Sequence, residues 1–489
     1  MSSAATIARA TETASTASWT RLAFGSLLLS LLFGAFFWLP FAHLWGTLPA
    51  PTADPLMGAP EQPSWITSLA IAVIFGMPSL VPFALLRRPI PWVTPLAGLA
   101  LVGVVGLIVL PALVGLATYP CCTSDVLDYV NRQRLWTVYG GNPFEVVPND
   151  HPEDWSYYFA LFRDRVFGYG PLWWFIARAF TQFAQTLDQY LIGFKILAAA
   201  CFAASLGLIW QLSPPARRVQ NAVFFAWNPI ILIDGVLRLH NDLLTVPLLL
   251  LALWLWQRRS ATALPTVALG ALIKLTVAPL AVLIAVDWLA RRQRLRLVIG
   301  GVASVLAAVS LYSPFWVGLS TLQPMLVQAN RAQWSIGAVL LRLLAPVLGD
   351  SANPVVRVVL ALGGLGLLVV LLWRVAAESR ARGLTTASLA GYGALALLVG
   401  LLSTPLAFYS HYLSPVIALA ALAADNRVRG LVLALSFGAL VNAVLGVDQF
   451  MGGPQGDLLD VIGNVVLLAA VMVGLVRFRR PAQVARVLG

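Results

Sequence analysis

Apolar runs of membrane-crossing length alternate with short polar connections along almost the whole chain. Fourteen apolar segments can be drawn, near 22–42, 65–86, 92–118, 187–211, 219–237, 242–256, 261–274, 276–290, 297–316, 355–376, 384–402, 411–424, 430–447 and 457–476. A helix rising 1.5 Å per residue needs about 20 apolar residues to cross a hydrocarbon core roughly 30 Å thick. The pattern therefore predicts an all-α polytopic membrane protein, with about 14 transmembrane helices and interfacial helices on its outer face. Segments 242–256, 261–274 and 276–290 are short for a span. Short helices are tolerated in lipid where they line a wet cavity. The last two form a hairpin whose tip carries Lys274.

Arginines fix the expected topology. With the N-terminus in the cytoplasm, the inner connections hold Arg87, Arg88, Arg217, Arg218, Arg258, Arg259, Arg291, Arg292, Arg294, Arg296, Arg374, Arg380, Arg382, Arg427 and Arg429. Arg477, Arg479, Arg480 and Arg486 follow the last helix. Together with Arg9 and Arg21 this places 21 of 30 arginines inside, as the positive-inside rule requires. Tyr169 to Gln185 is apolar enough to tempt a spanning assignment, but that would invert every later loop. It is therefore placed flat in the outer interface or shallowly re-entrant, a depth that suits Trp173 and Trp174. The run from about Leu22 to Phe41 exceeds the apolar core of a cleaved signal and is read as a retained first helix.

Composition narrows the class. The 489 residues are 59% hydrophobic and 11% charged, against roughly a quarter charged in soluble domains. Soluble enzymes, nucleic-acid-binding modules and disordered scaffolds are excluded. The net charge of +12 is read as orienting helices and not as attracting nucleic acid. Cys121, Cys122 and Cys201 fit no disulfide framework and are read as free.

Two stretches lie outside in this topology. The first runs from Tyr119 to about Asp188 and holds seven acidic residues and four arginines up to Arg165; the second runs from Gly318 to Pro354 and includes the amphipathic Ala338 to Leu348. The rare polar groups gather on the same side: Asp125, Asp128, Arg238, His240, Asn241, Asp242, Lys274, Ser403, Thr404, His411 and Asp448 all fall at outer helix ends or in outer loops. Ionisable groups at membrane depth are costly and are functional candidates by default.

Four constellations carry the candidate chemistry. Asp125 and Asp128 share a helical face after Ser124, either as first-turn acids of a capped helix or as a carboxylate able to take a proton from a hydroxyl. Gly140, Gly141, Asn142 and Pro143 then turn the chain, and Tyr169, Gly170 and Pro171 bend it again. In Trp227 to Asp242, Asn228 and Pro229 kink a helix, Asp234 follows, and Arg238, His240, Asn241 and Asp242 crowd its exit. These are either loop polar groups and caps or a phosphate site. Lys274, one of only two lysines, is either a snorkelling side chain or a fixed cation for a lipid phosphate. Ser403 to Pro415 brings Tyr409 and His411, an aromatic surface suited to a sugar or an ordinary interfacial belt; Gln328, Arg331, Gln333 and Trp334 are weaker candidates of the same kind. No Walker loop, dinucleotide fingerprint, His-Glu-x-x-His or Cys/His metal spacing occurs, so no cofactor and no metal is called for by the sequence.

The outer Asp, the Gly-Gly-Asn-Pro-aromatic turn at 140–144, Tyr-Gly-Pro-Leu at 169–172, Trp-Asn-Pro…Asp-Gly…His-Asn-Asp at 227–242 and Ala-Leu-Ile-Lys at 271–274 together resemble the GT-C superfamily of membrane glycosyltransferases. The likeness is nearest to polyprenyl-phosphate-mannose-dependent α-mannosyltransferases of bacterial envelopes and covers about 119–280. Two extra helices precede the acidic loop, a departure from the usual pattern.

The resemblance implies an inverting transferase of the bacterial inner membrane, with its active site facing the periplasm. It would move a sugar, expected to be mannose, from a polyprenyl-phosphate donor to a glycan or glycolipid acceptor. Asp125 would act as general base; Lys274, His240, Arg238 and His411 would hold the donor phosphate; and Asp128, Asn142, Tyr169, Asn241, Asp242 and Tyr409 would line the substrate site. On that reading the chain divides into N-terminal helices (1–118), an outer catalytic loop (119–188), core helices around the lipid phosphate (189–316), a second outer loop (317–354) and C-terminal helices (355–489). Partners are the donor, the acceptor and membrane lipids, with no nucleic acid. A lipid-linked-sugar flippase or secondary transporter is the alternative, which should show repeat symmetry and mid-membrane polar residues.

Overall fold

The computed structural model describes residues 125–446 apart from 161, 167, 325–334 and 404–407. The expected helices at 22–42, 65–86, 92–118 and 457–476 lie outside the described residues, as do Cys121, Cys122, Ser124, Gln328, Arg331, Gln333, Trp334, Thr404 and Asp448. Among the described residues every regular element is helical. The main helices are α1 (Asp125–Thr137), α2 (Pro171–Thr181), α3 (Leu187–Leu212), α4 (Arg218–Ala226), α5 (Asp242–Gln257), α6 (Ala263–Ala271), α7 (Pro279–Ala290), α8 (Arg294–Tyr312), α9 (Ile336–Leu348), α10 (Ala352–Ala381), α11 (Thr386–Ser403), α12 (Ser414–Leu422) and α13 (Asn426–Gly446).

Among the described residues, four helical stretches are long and apolar enough to cross a membrane: Leu187–Leu212, Arg294–Phe315, Val339–Ala381 and Thr386–Ser403. Asp242–Gln257, Leu275–Ala290 and Ser410–Leu422 are shorter apolar helices. The protein is thus an integral membrane protein. Its outer helices carry the matching surface. On α8, Leu295, Val298, Val302, Val305 and Val309 are exposed, and on α10 Leu362, Leu365, Val369 and Trp373 are exposed. Such continuous apolar faces are unfavourable in water and suit acyl chains.

The short helices sit inside. On α5, Leu243, Val246, Leu249, Leu250, Ala252 and Leu253 are completely buried, packed by α3, α6 and α12. A helix apolar on all sides belongs in such a central position. Asp242 begins α5, and Arg258 and Arg259 follow its last residue. At 1.5 Å per residue those ends lie about 24 Å apart, so the candidate polar cluster and the arginine rim occupy opposite ends of one buried helix.

Local sequence explains the breaks. Gly170 precedes Pro171 at the first position of α2, where a missing N–H costs nothing. At the head of α3 the Gln189 amide oxygen accepts from the backbone N–H groups of Gln185 (2.7 Å) and Thr186 (3.3 Å). Asn228 holds the bend after α4: its side-chain oxygen accepts from Ile230 N at 3.0 Å, and its amide donates to Ser436 Oγ on α13 at 3.1 Å. The chain beyond it winds as a π-helix, Ile231–Leu237, where the sequence pattern suggested a kinked α-helix. That wide turn ends at Leu239, a buried non-glycine residue with φ 60°. Left-handed geometry is unfavourable for a branched side chain and marks a position held by its surroundings.

The segment 169–185 follows expectation in one respect and departs from it in another. The eleven residues of α2 are too few to span. Trp173 and Trp174, however, are each only 2% exposed. Trp173 packs against Tyr129 and Phe194, with ring centroids at 4.9 and 5.9 Å. Trp173 thus packs inside the protein against α1 and α3, while Phe180 and Phe183, 39% and 85% exposed, lie on its surface.

Candidate active site

Four separate segments converge at one end of the bundle. The first turn of α1 supplies Asp125. The strained turn after the π-helix supplies His240, Asn241 and Asp242. The break between α6 and α7 supplies Lys274. The single 3-10 turn before α12, Ser410–Leu413, supplies His411 and Tyr412, with Tyr409 just ahead of it.

The contacts run in a chain. Asp125 Oδ2 lies 3.5 Å from His240 Nε2. The His240 and His411 rings stack at 3.9 Å between centroids and 21° between planes. His411 Nε2 is 3.8 Å from Asp242 Oδ2, and the same carboxylate oxygen accepts from Lys274 Nζ at 2.6 Å. Tyr409 continues the stack, 5.4 Å from His411 and nearly parallel at 9°. Lys274 Nζ sits 4.1 Å from the Tyr412 ring centroid and 5.8 Å from that of Tyr169, within cation–π range of both.

Backbone geometry sets these positions. Leu272 and Ile273 follow the last residue of α6, where carbonyls lose their helical partners. Gly170 N–H donates to the Ile273 carbonyl and Leu172 N–H to the Leu272 carbonyl, both at 3.1 Å. The approach is so close that a Cβ on Gly170 would overlap the Leu272 carbonyl. The Tyr-Gly-Pro bend is therefore a splice between the outer loop and the lysine hairpin. The Asp234 carbonyl performs the corresponding role for His240, accepting from its backbone N–H at 3.0 Å and from its ring Nδ1 at 3.1 Å.

Within this group Asp125 is the accessible member. Its side chain is 28% exposed, against 7% for His240, 10% for Lys274 and His411 and 2% for Asp242. One turn on, Tyr129 donates to or accepts from Tyr169, with 3.2 Å between hydroxyls. Burial first, and then the charge on Asp125, push the Tyr129 phenol well above its ordinary value. Burial, followed by Tyr129 and Asp125, does the same to Tyr169. Both phenols stay protonated beside the carboxylate.

Other sequence candidates have different partners. Asp128 is buried and binds Arg132 at 2.9 Å; Arg132 also donates to the Phe162 and Arg165 carbonyls, fastening the outer loop to α1. Arg238 binds Asp234 at 3.0 Å. Asn142 donates to the Phe315 carbonyl at 3.0 Å and accepts from Phe144 N at 3.0 Å, which ties the Gly-Gly-Asn-Pro turn to the end of α8. Asn241 is fully buried, and among the described residues neither of its side-chain polar atoms has a hydrogen-bond partner. Tyr129 and Tyr412 escaped the sequence reading, although Tyr129 stands four residues after Asp125 on the same helical face and Tyr412 adjoins His411.

A carboxylate, two imidazoles, an ammonium and aromatic faces are a set that can take a proton, meet a phosphate and stack a sugar. A family model described as alpha-(1->6)-mannopyranosyltransferase, N-terminal domain, matches residues 31–291, more than half of the chain. The chain belongs to this mannosyltransferase family. The match spans Asp125, His240, Asp242 and Lys274, and stops before His411. No curated protein and no solved structure matches significantly. The mannosyltransferase is thus a GT-C-like membrane glycosyltransferase, as the motifs of 119–280 implied. Its C-terminal helices complete the cluster by delivering His411 and Tyr412 from outside the matched span.

Proposed function

We propose that this mannosyltransferase moves a mannosyl unit from a polyprenyl-phosphate donor to a glycan or glycolipid hydroxyl, with inversion, on the periplasmic side of a bacterial inner membrane. The observation that carries the reading is the chain of contacts from the accessible Asp125 through His240 and His411 to the Asp242–Lys274 pair. It brings a proton acceptor and cationic groups to one place at a membrane-helix end.

In this mechanism the acceptor O–H gives its proton to the Asp125 carboxylate as its oxygen bonds to the anomeric carbon. The anomeric carbon–phosphate oxygen bond breaks on the opposite face, and polyprenyl phosphate leaves with the electron pair. Lys274 and Arg238 stabilise the charge that develops on that phosphate, with the His240 and His411 rings beside it. A monophosphate needs less neutralisation than a diphosphate, which suits this small number of cations. Tyr169 and Tyr409 offer aromatic faces for the sugar, Asn241 and Asp242 shape the adjoining wall, and Asp128 and Asn142 hold the outer loop in place around it. The arginines at the far end of α5 support the outward orientation.

The test uses Asp125→Asn in detergent with a synthetic polyprenyl-phosphate mannose. Transfer should fall by about 10²- to 10⁴-fold while the variant keeps its monodisperse elution profile. Full activity in that variant removes Asp125 from the mechanism.

A further inference from the structure

The ring orientation of His240 has a chemical consequence. Its Nδ1 faces the Asp234 carbonyl at 3.1 Å. A carbonyl only accepts, so Nδ1 carries the hydrogen and, in the neutral ring, Nε2 carries the lone pair. That nitrogen lies 3.5 Å from Asp125 Oδ2. An ionised carboxylate is also acceptor-only, so the two atoms repel unless a proton or a metal cation lies between them. A second imidazole is stacked on the first at 3.9 Å, with its own Nε2 beside Asp242. Protonating both rings would set two like charges face to face. One divalent ion shared by both rings removes the conflict.

We infer that Asp125, His240 and His411 form a binding site for a divalent transition-metal ion, zinc being the best chemical fit. One ligand atom from each residue lies within 4.8 Å of the others. Tetrahedral zinc, with bonds of about 2.0–2.1 Å to nitrogen or oxygen, needs these atoms to close by a rotamer-scale movement. Two imidazoles and one carboxylate suit zinc and its neighbours better than calcium or magnesium. The Asp234 carbonyl on Nδ1–H is the outer contact that metal-bound histidines make, fixing the ring and raising the basicity of Nε2. Three protein ligands leave at least one position open, and Asp125 is the accessible ligand through which it is reached. An anionic oxygen fits that position. Its assignment to the donor phosphate rests on the function proposed above, whereas metal binding does not. A carboxylate bound through Oδ2 keeps Oδ1 as a proton acceptor.

The experiment loads the chelator-stripped, full-length protein in detergent with zinc, removes the excess and measures metal per chain. The expected result is one zinc per chain, and a visible absorption spectrum of low-coordinate cobalt when cobalt replaces it. His240→Gln and His411→Gln should each weaken binding by at least about 10-fold, while His151→Gln, outside the cluster, should keep the full equivalent. The proposal is overturned if the wild type holds no zinc, or if the His240→Gln/His411→Gln double variant keeps it. Should the variants fail to elute as folded protein, nitrogen NMR of the wild type decides. Zinc must shift both ring signals, and a protonated His240 Nε2 that zinc leaves unchanged refutes the site. Zinc bound by a protein that transfers no mannose would leave this inference standing and sink the functional one; transfer by protein shown to hold no metal would do the reverse.

Discussion

Lys274→Met is the most informative single change. Lys274 Nζ and Asp242 Oδ2 are 2.6 Å apart, and their side chains are 10% and 2% exposed. At an effective dielectric of about 20 the gross attraction over that distance is about 6 kcal/mol. Desolvating two ions costs several kcal/mol each, so the pair as a whole nearly breaks even. The asymmetry lies in breaking it. Removing the lysine alone strands a buried carboxylate, a loss of about 3–5 kcal/mol. His411 Nε2, 3.8 Å from the same oxygen, is a partial substitute and sets the expectation near the lower bound, about 3 kcal/mol. The double variant Lys274→Met/Asp242→Asn removes both charges and should lose only about 1 kcal/mol, about 2 kcal/mol less than the single variant. Unfolding in mixed micelles with increasing SDS fraction, followed by tryptophan fluorescence, measures all three proteins. If the single and double variants lose the same stability to within about 0.5 kcal/mol, the pair is not a buried, mutually dependent unit and the reasoning fails.

Two further outcomes follow from the same geometry. Gly170→Ala should disrupt the two hydrogen bonds to the Leu272 and Ile273 carbonyls, worth about 0.5–1.5 kcal/mol each, and should reduce transfer although Gly170 carries no chemistry; an alanine variant with unchanged thermal midpoint and activity would refute the splice. Burial raises the Asp154 pKa, but hydrogen bonds from Arg134 and Ser156 outweigh it and leave the carboxyl below its ordinary value. Its folded value being depressed, the stability it contributes is present above the unfolded value and is lost as pH falls through the folded one. Protease cleavage between 138 and 166 should therefore accelerate as pH drops below the usual carboxylate range, and Asp154→Asn should flatten that dependence.

The site was legible where chemistry was rare. In a chain this apolar, Asp125, His240, Asp242, Lys274 and His411 stand out one by one, and the arginine pattern alone assigns them to one side. Their pairing was not legible. Nothing in the spacing says that Lys274 takes Asp242, that Arg238 turns to Asp234, or that Asn142 reaches the Phe315 carbonyl. Those partners lie on segments brought together only by packing. The π-helix escaped for a related reason: Ile231–Leu237 shows the same apolar composition in either winding, and its register is set by the Asn228 tie to Ser436 and the turn at Leu239. The candidate metal ligands come from three distant segments, so no short spacing motif could announce them.

The Gly170–Leu272 junction has a mechanical meaning. Two stretches of main chain joined so tightly behave as a single lever. If an arriving acceptor displaces the outer loop, the ammonium at 274 travels with it. The ammonium at 274 thus rides with the chain at 170–172 and is not repositioned by itself.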